Sequence, residues 1–352
     1  MNERSYGAQR ASVELTNICN LHCGYCLRDE DALYHSPAKY FPIPLLKEIA
    51  LQGREAVGLS HISFTGGEPS LHPDFAGAIA GVAHEGLTTS FVTNGWHFDR
   101  VWPVIAANRK AVTHVAFSLD GATREAHDKW RGQGSFVRLI RAFSHCQHYE
   151  FPFEIKVVVR KDTLRQLEQI AIFAARMGAA GLNFGHLLPT SGKFDHELAL
   201  TAQERTLAEQ EIALLARVFK MPIRLDVGYY NIDPAAPCSP LAGRSCNIDY
   251  RGRLSLCCNL SGYRGELEQP DVVADLNEEP FAAAFARLQK VAELQMERRV
   301  RALNEYAQVN EQPDLNLGSP CLYCLEAFHK VPWQSATAVA ARSLPIIQTS
   351  IA

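Results

Sequence analysis

The chain has 352 residues, 47% of them apolar, which is enough for one large domain and a smaller one. A net charge of -3 and a pI near 6.5 exclude the basic field that nucleic acid requires and the polybasic patch that a lipid surface requires. The N-terminal Met-Asn-Glu-Arg-Ser-Tyr-Gly has no secretory apolar core and no run approaches transmembrane length, so a cytoplasmic protein without membrane contact is expected.

Residues 11–220 alternate short β-rich runs with amphipathic helical stretches. The predicted strands are 12–16, 61–65, 88–93, 114–119, 154–160 and 181–187. Between them lie helical patterns at 44–57, 73–86, 98–110, 135–148 and 163–178, with another at 201–220. Pro44 and Pro73 suit first helical turns, and Gly58 and Gly178 suit helix ends. Strand–helix alternation implies a parallel sheet, and six such units fit an α/β fold of the partial (β/α)6, TIM-like barrel type. In such barrels chemistry gathers at the C-terminal ends of the strands. Cys19, Gly66-Gly67-Glu68, Asn94 and Asp120 fall at the first four of those ends.

The pattern then changes. Residues 187–200 read as a loop, 231–245 are rich in Pro and Ala, and 249–256 read as a tight hairpin with Gly252 in its turn. A long polar helix is expected at 279–308, followed by a loop that leads to Cys321-Leu-Tyr-Cys324. The expected division is 1–220 for the barrel, 221–330 for a small β-hairpin plus helix domain, and 331–352 for a tail. No internal repeat or low-complexity segment is present.

Ten cysteines in a chain without an export signal read as metal ligands or reactive thiols rather than a disulfide framework. Cys19, Cys23 and Cys26 are spaced by three and then two residues, directly after the first strand. Three thiolates can hold three irons of a 4Fe–4S cluster and leave the fourth open to a ligand. The alternatives are three core thiols on one helix face, or a structural zinc completed by His22.

Cys19-x3-Cys23-x2-Cys26 and Phe64-Thr-Gly-Gly-Glu-Pro69, with Val92-Thr-Asn-Gly95 and Ser118-Leu-Asp-Gly121, resemble the successive strand-end motifs of the radical S-adenosylmethionine (SAM) superfamily. The resemblance covers roughly residues 11–220. It implies an enzyme whose open iron chelates SAM and whose electron cleaves SAM to a 5′-deoxyadenosyl radical. It also implies roles for particular residues. Tyr25 would pack on the adenine. Gly66 and Gly67 would let the backbone approach the SAM amino group, with Glu68 nearby. Asn94, Ser118 and Asp120 would accept from the ribose hydroxyls. Arg131 would meet the SAM carboxylate, and His186 and Leu187 would line the adenine or substrate wall.

Six more cysteines follow residue 237. Cys238-x13-Gly252-x4-Cys257 resembles the opening of the auxiliary-cluster domain called SPASM, or its shorter form, twitch. One Cys321-x2-Cys324 pair, rather than a longer run, favours twitch and a single auxiliary 4Fe–4S cluster. Cys257, Cys321 and Cys324 are the expected ligands. Cys246 is favoured over Cys238 as the fourth because it enters the hairpin directly, although Cys238 has the better motif spacing. Cys258 adjoins a ligand and would face the other side of a strand, either as a core thiol or as a hydrogen-atom donor. Cys146 is expected to be structural.

Such enzymes most often modify ribosomal peptides by crosslinking, oxidation or epimerisation in natural-product biosynthesis. Radical oxidation, dehydration or epimerisation of a small molecule such as an aminoglycoside sugar or cyclitol is the alternative. An iron–sulfur electron-transfer protein is the alternative of another class, but one that has no need of the Gly66-Gly67-Glu68 segment. Expected partners are the substrate and a one-electron reductant such as flavodoxin or ferredoxin. Only about ten residues precede the first strand, so leader-peptide recognition would fall to a separate protein.

Overall fold

The expected strands form, and each is a few residues longer or shorter than its pattern. The computed structural model describes residues 9–28, 31–189, 195–261, 270–309 and 313–330. The 331–352 tail therefore lies outside the described residues. The first six strands are β1 (Gln9–Thr16), β2 (Leu59–Gly66), β3 (Thr88–Thr93), β4 (Val112–Ser118), β5 (Phe153–Val159) and β6 (Gly181–His186). They pair in sequence order, all parallel. This is the open barrel that strand–helix alternation implied.

Two features extend it. A strand that the periodicity missed, β7 (Ile223–Val227), adds in parallel to the free edge of β6. It is only five residues long and its outer positions are exposed, so it carries little apolar signal. On the other side, β8 (Ser245–Ile248) pairs in parallel with β1. It turns through Gly252, at φ 89°, into antiparallel β9 (Arg253–Ser255), and β10 (Val272–Asp275) follows. The hairpin thus continues the barrel sheet, giving the order β10-β9-β8-β1-β2-β3-β4-β5-β6-β7.

Strand alternation divides the sheet into two chemistries. One set of side chains is apolar and fully buried, with Phe64, Phe91, Phe117, Phe153 and Phe184 drawn from five consecutive strands. Phe143, from helix Ser135–His148, stacks on Phe153 with ring centroids 4.8 Å apart. Cys146 of that helix is fully buried, as expected of a structural thiol. The other set is polar. His61 contacts Thr88 and Ser90 at 2.9 Å each, and Asn183 donates to Glu154 at 2.6 Å. Apolar packing holds the helices on, while the polar face leaves an interior that water or a ligand can occupy.

The sequence reading placed no helix between β4 and 135. The structure has Arg124–Arg131 there, N-capped by Thr123 accepting from Ala126 N–H. It is short and strongly polar, which hides it from an apolar-periodicity search. Pro73 precedes the first turn rather than occupying it, because Asp74 caps the helix Phe75–His84. The predicted 279–308 helix spans Phe281–Gln308. Cys321 and Cys324 lie on a final helix, Pro320–Ala327.

Gly66 and Gly67 end β2 where the cysteine loop crosses. Gly67 N–H donates to Thr16 O at 2.9 Å, and Glu68 N–H donates to Ile18 O at 2.8 Å. A Cβ on Gly67 would overlap the Ile18 backbone, and Gly66 sits at φ 119° against Thr16 O. Gly24, in the same loop, has open space around it. Gly67→Ala is expected to cost about 1–3 kcal/mol through this overlap. Gly24→Ala should change the urea midpoint little, and equal midpoints for the two variants would refute the account.

Candidate active site

The C-terminal ends of β1 to β7 surround a cavity of about 340 Å³. The loop after β1 delivers Cys19, Cys23 and Cys26 to its wall. Tyr25, Gly66, Gly67, Glu68, Asn94 and Ser118 share that wall, and Arg131, His186 and Leu187 also line it. Of the residues nominated for the cofactor, Asp120 alone is absent from the lining.

Burial, with Glu68 nearby, pushes the Cys19 thiol up to about 12, and burial likewise raises Cys23 and Cys26. Such thiols become thiolates when a metal replaces the proton. Leu21 N–H donates to Cys19 Sγ at 3.5 Å, and Asn94 Nδ2 lies 4.0 Å from the same sulfur. Among the described residues no three His, Cys, Asp or Glu side chains converge on one ion. A tetrahedral zinc draws its sulfurs to about 2.3 Å from one centre, whereas a four-iron cluster carries each thiolate on a separate iron. Three thiols on one loop can offer one ligand to each of three irons.

Asp120 is a hub behind the cavity. It is 1% exposed. Its Oδ2 accepts from Tyr25 at 2.5 Å and from Arg131 Nε, and its Oδ1 accepts from Arg160 Nη1 at 2.6 Å. Burial alone would raise its pKa, but the guanidiniums of Arg131 and Arg160 and the Tyr25 hydroxyl hold it well below the ordinary carboxylate range. The Arg160 guanidinium lies between the Tyr25 and Trp130 rings, 4.3 and 4.7 Å from their centroids. The expected ribose acceptor therefore already has both oxygens engaged. What it does instead is fix Tyr25 and Arg131 at the cavity wall.

Other nominated acceptors are similarly occupied. Glu68, 2% exposed, accepts from Ser70 N–H, Ser70 Oγ, Thr93 Oγ1 and Asn94 N–H, so it ties β2 to β3. Burial raises its pKa against those four bonds. Asn94 donates to Asn20 at 3.0 Å and accepts from Trp96 N–H at 2.9 Å. His186 Nε2 meets Glu209 at 3.2 Å, and burial lowers its pKa. Among the described residues, the Ser118 hydroxyl is the nominated oxygen that no protein group engages.

The second thiol set assembles beside the sheet edge. Cys238 acts electrostatically on Cys321 and Cys324, and Cys321 on Cys257. Gly228 N–H, just past β7, donates to Cys321 Sγ at 3.2 Å. Cys246 does not join them. It pairs with Ala11 across β8 and β1, is 3% exposed, and burial alone pushes it up to about 12 with no other thiol acting on it. The preference for Cys246 is thus corrected in favour of Cys238, because the register of β8 turns residue 246 into the core. Cys258 also departs from expectation. The strand ends at Ser255 and Cys258 opens a single tight turn, so alternation no longer applies. Its thiol hydrogen-bonds to Cys257, and that bond, with Arg28 nearby, lowers its pKa despite burial.

Sequence reasoning missed the charges that join these parts. Glu14, in the middle of β1, is buried and pairs at 2.6 Å with Arg28, which is largely buried. Arg28 also donates to Ser261 O at 3.0 Å and acts on both Cys26 and Cys258, so it bridges the two thiol sets. Arg205 donates to Leu187 O and Gly228 O at 3.0 Å each, which clamps the ends of β6 and β7. A carboxylate between two apolar residues, as Glu14 stands between Val13 and Leu15, is the one signal that could have found the bridge.

The sequence model of the Radical SAM superfamily matches residues 13–174. The mycofactocin maturase MftC of Mycobacterium tuberculosis is 29% identical over 262 residues, 69% of this chain and 63% of that protein. The AdoMet-dependent heme synthase of Methanosarcina barkeri is 30% identical over 204 residues, 55% of each chain. The chain spans less than two thirds of the length of these curated relatives. Among solved structures, Streptococcus suis SuiB bound to precursor peptide SuiA superposes with a TM-score of 0.67 at 12% identity, covering 90% of this chain and 70% of that one. That likeness is one of fold. No helix among the described residues is long and apolar enough to cross a membrane.

Asp120→Asn should leave two buried guanidiniums short of a counter-charge and cost about 3–5 kcal/mol. Because the folded pKa of Asp120 is depressed, its stabilisation is complete at neutral pH and fades as pH falls below the ordinary carboxylate range. Urea titrations of both proteins at neutral and acid pH would check this. A difference that does not shrink toward acid would refute it.

Proposed function

We propose that the chain, which carries a radical SAM domain over residues 13–174, abstracts a C–H hydrogen from a ribosomally made peptide in order to modify it. The observation that carries this reading is one cavity shared by three loop thiols, Arg131 and the strand-end glycines. Cys19, Cys23 and Cys26 would hold a 4Fe–4S cluster with one iron open to SAM. When bound, that cluster supplies the single electron that cleaves SAM to the 5′-deoxyadenosyl radical.

The chain's own residues orient and shield. Arg131, fixed by Asp120, presents a cation suited to the SAM carboxylate. Tyr25, a buried ring, lines the cavity from the cysteine loop, and Ser118 keeps an oxygen for a ribose hydroxyl. Apolar Val157, Phe184, Leu187 and Leu188 limit water around a radical. Bound SAM would supply the group that takes the substrate hydrogen atom, and these side chains would hold the two partners together.

Cys238, Cys257, Cys321 and Cys324 would hold an auxiliary 4Fe–4S cluster able to accept the electron when that radical is oxidised. A peptide is favoured because MftC is named a maturase and SuiB is solved with a precursor peptide. A small-molecule substrate is the second reading, favoured by the similarity to a heme synthase. A one-electron reductant such as flavodoxin or ferredoxin, and a separate leader-recognition protein, would complete the system in the cytoplasm.

The reconstituted protein should carry about eight irons per chain, from two four-iron clusters. Joint Cys19→Ala, Cys23→Ala and Cys26→Ala replacement should remove about half of that iron and all release of 5′-deoxyadenosine. Cys238→Ala should lose auxiliary iron, and Cys246→Ala should retain it. Zinc in place of iron at the second set would sink the auxiliary reading.

Cys258→Ala separates the fates of the substrate radical. If Cys258 returns hydrogen, both clusters and 5′-deoxyadenosine formation persist while solvent deuterium no longer enters product. Loss of the auxiliary cluster would make Cys258 a ligand. Unchanged turnover would make it a packing residue and leave oxidation as the reaction.

A further inference from the structure

Helix Phe281–Gln308 carries Arg299 into the interior, where it is fully buried. Its Nε and Nη2 donate to Leu317 O, Nη2 also donates to Gly318 O at 3.1 Å, and the same group reaches Asn231 O. Its Nη1 is buried without a partner. All of these acceptors are neutral carbonyls. The other buried arginines near the two thiol sets have carboxylates beside them: Arg160 has Asp120 and Asp162, Arg28 has Glu14, and Arg205 has Glu209. The ionisable groups that act most on Arg299 are Cys238 and Cys324, then Tyr323 and Tyr229, and Arg299 acts in turn on Tyr230. With their protons on, none of these offers a negative charge. An arginine stays protonated even when buried, and among the described residues no carboxylate hydrogen-bonds to this one.

We propose that Arg299 is the counter-charge of the auxiliary site, offsetting the negative charge of a cluster held by Cys238, Cys257, Cys321 and Cys324 and raising its reduction potential. This rests on the auxiliary-cluster reading above. Four thiolates make such a site net negative, and one-electron reduction adds a further negative charge. A fixed cation at close range in a poorly solvated interior stabilises the reduced form more than the oxidised one. The competing role is purely mechanical: Arg299 ties down the Leu317 and Gly318 carbonyls that precede Cys321.

The test uses the full chain with Cys19→Ala, Cys23→Ala and Cys26→Ala, so that only the auxiliary site can bind iron. Arg299→Lys keeps the charge but loses the fork, and Arg299→Gln keeps donors but loses the charge. Iron and sulfide per chain, an EPR-monitored potential titration, and thermal melting of the metal-free chain are measured for each. Arg299→Gln should lower the ratio of reduced to oxidised cluster at the parent midpoint about tenfold, a fall of about 59 mV for a one-electron couple. Arg299→Lys should shift it far less. If Arg299→Gln assembles no cluster while Arg299→Lys does, with equal melting of the metal-free chains, counter-charge is again supported. Full iron with an unchanged potential in Arg299→Gln overturns the proposal. Equal iron loss in both variants, with a matching fall in melting temperature, also overturns it in favour of the mechanical role. Absence of iron in the parent background would instead remove the auxiliary site itself, and the proposal with it.

Discussion

The bond set around Asp120 is the constraint on which the candidate site depends. One carboxylate at the end of β4 receives Tyr25 from the cysteine loop, Arg131 from the following helix and Arg160 from the end of β5. Those groups come from distant parts of the chain, and among the described residues Asp120 is the hydrogen-bond partner that all three share. Without a buried anion, two guanidiniums could not be brought so close together in a poorly solvated interior. With it, the Tyr25 ring and the Arg131 cation are held at the cavity wall before any ligand arrives. Preorganisation of this kind lowers the cost of ordering side chains on binding.

The same logic repeats at a smaller scale around the cavity. Glu68 spends its carboxylate on β3, and Gly66 and Gly67 spend their freedom on the passage of Thr16–Ile18. The cysteine loop is therefore clamped by backbone contact on one side and by the Tyr25 hydroxyl on the other. Arg28, anchored on Glu14, then carries the loop to Ser261 and so to the second thiol set. The two sets are parts of one charged framework built on the edge of a continuous sheet.

Arginine is the residue that does most of this joining. Arg28, Arg160, Arg205 and Arg299 are buried or nearly so, and each crosses between elements far apart in sequence. Their planar forks reach two or three acceptors at once, which a lysine cannot reproduce. Arg299 differs from the rest in having only carbonyls as hydrogen-bond acceptors, and that difference is what points from architecture toward redox chemistry.

The sequence by itself determined the strand–helix alternation, the strand ends that carry chemistry, and the identity of the thiol loop. Those follow from local periodicity and from spacing along one segment, which survive without knowledge of the rest of the chain. It left out β7 and the helix Arg124–Arg131, because a short edge strand and a polar helix bury too little apolar surface to leave a pattern. It could name Asn94, Glu68 and Asp120 as oxygen-bearing residues at the right places, but not that their oxygens were already bonded. For Glu68 and Asp120 only the tertiary structure decided that, since the partners supplied by other elements lie from 11 to 95 residues away. It also decided between Cys246 and Cys238. Both have plausible spacing, and pairing of Ala11 with Cys246 sends one thiol into the core and leaves the other beside Cys321 and Cys324. A side chain's chemistry is written in the sequence, whereas its partner is set by a register that only the folded sheet defines.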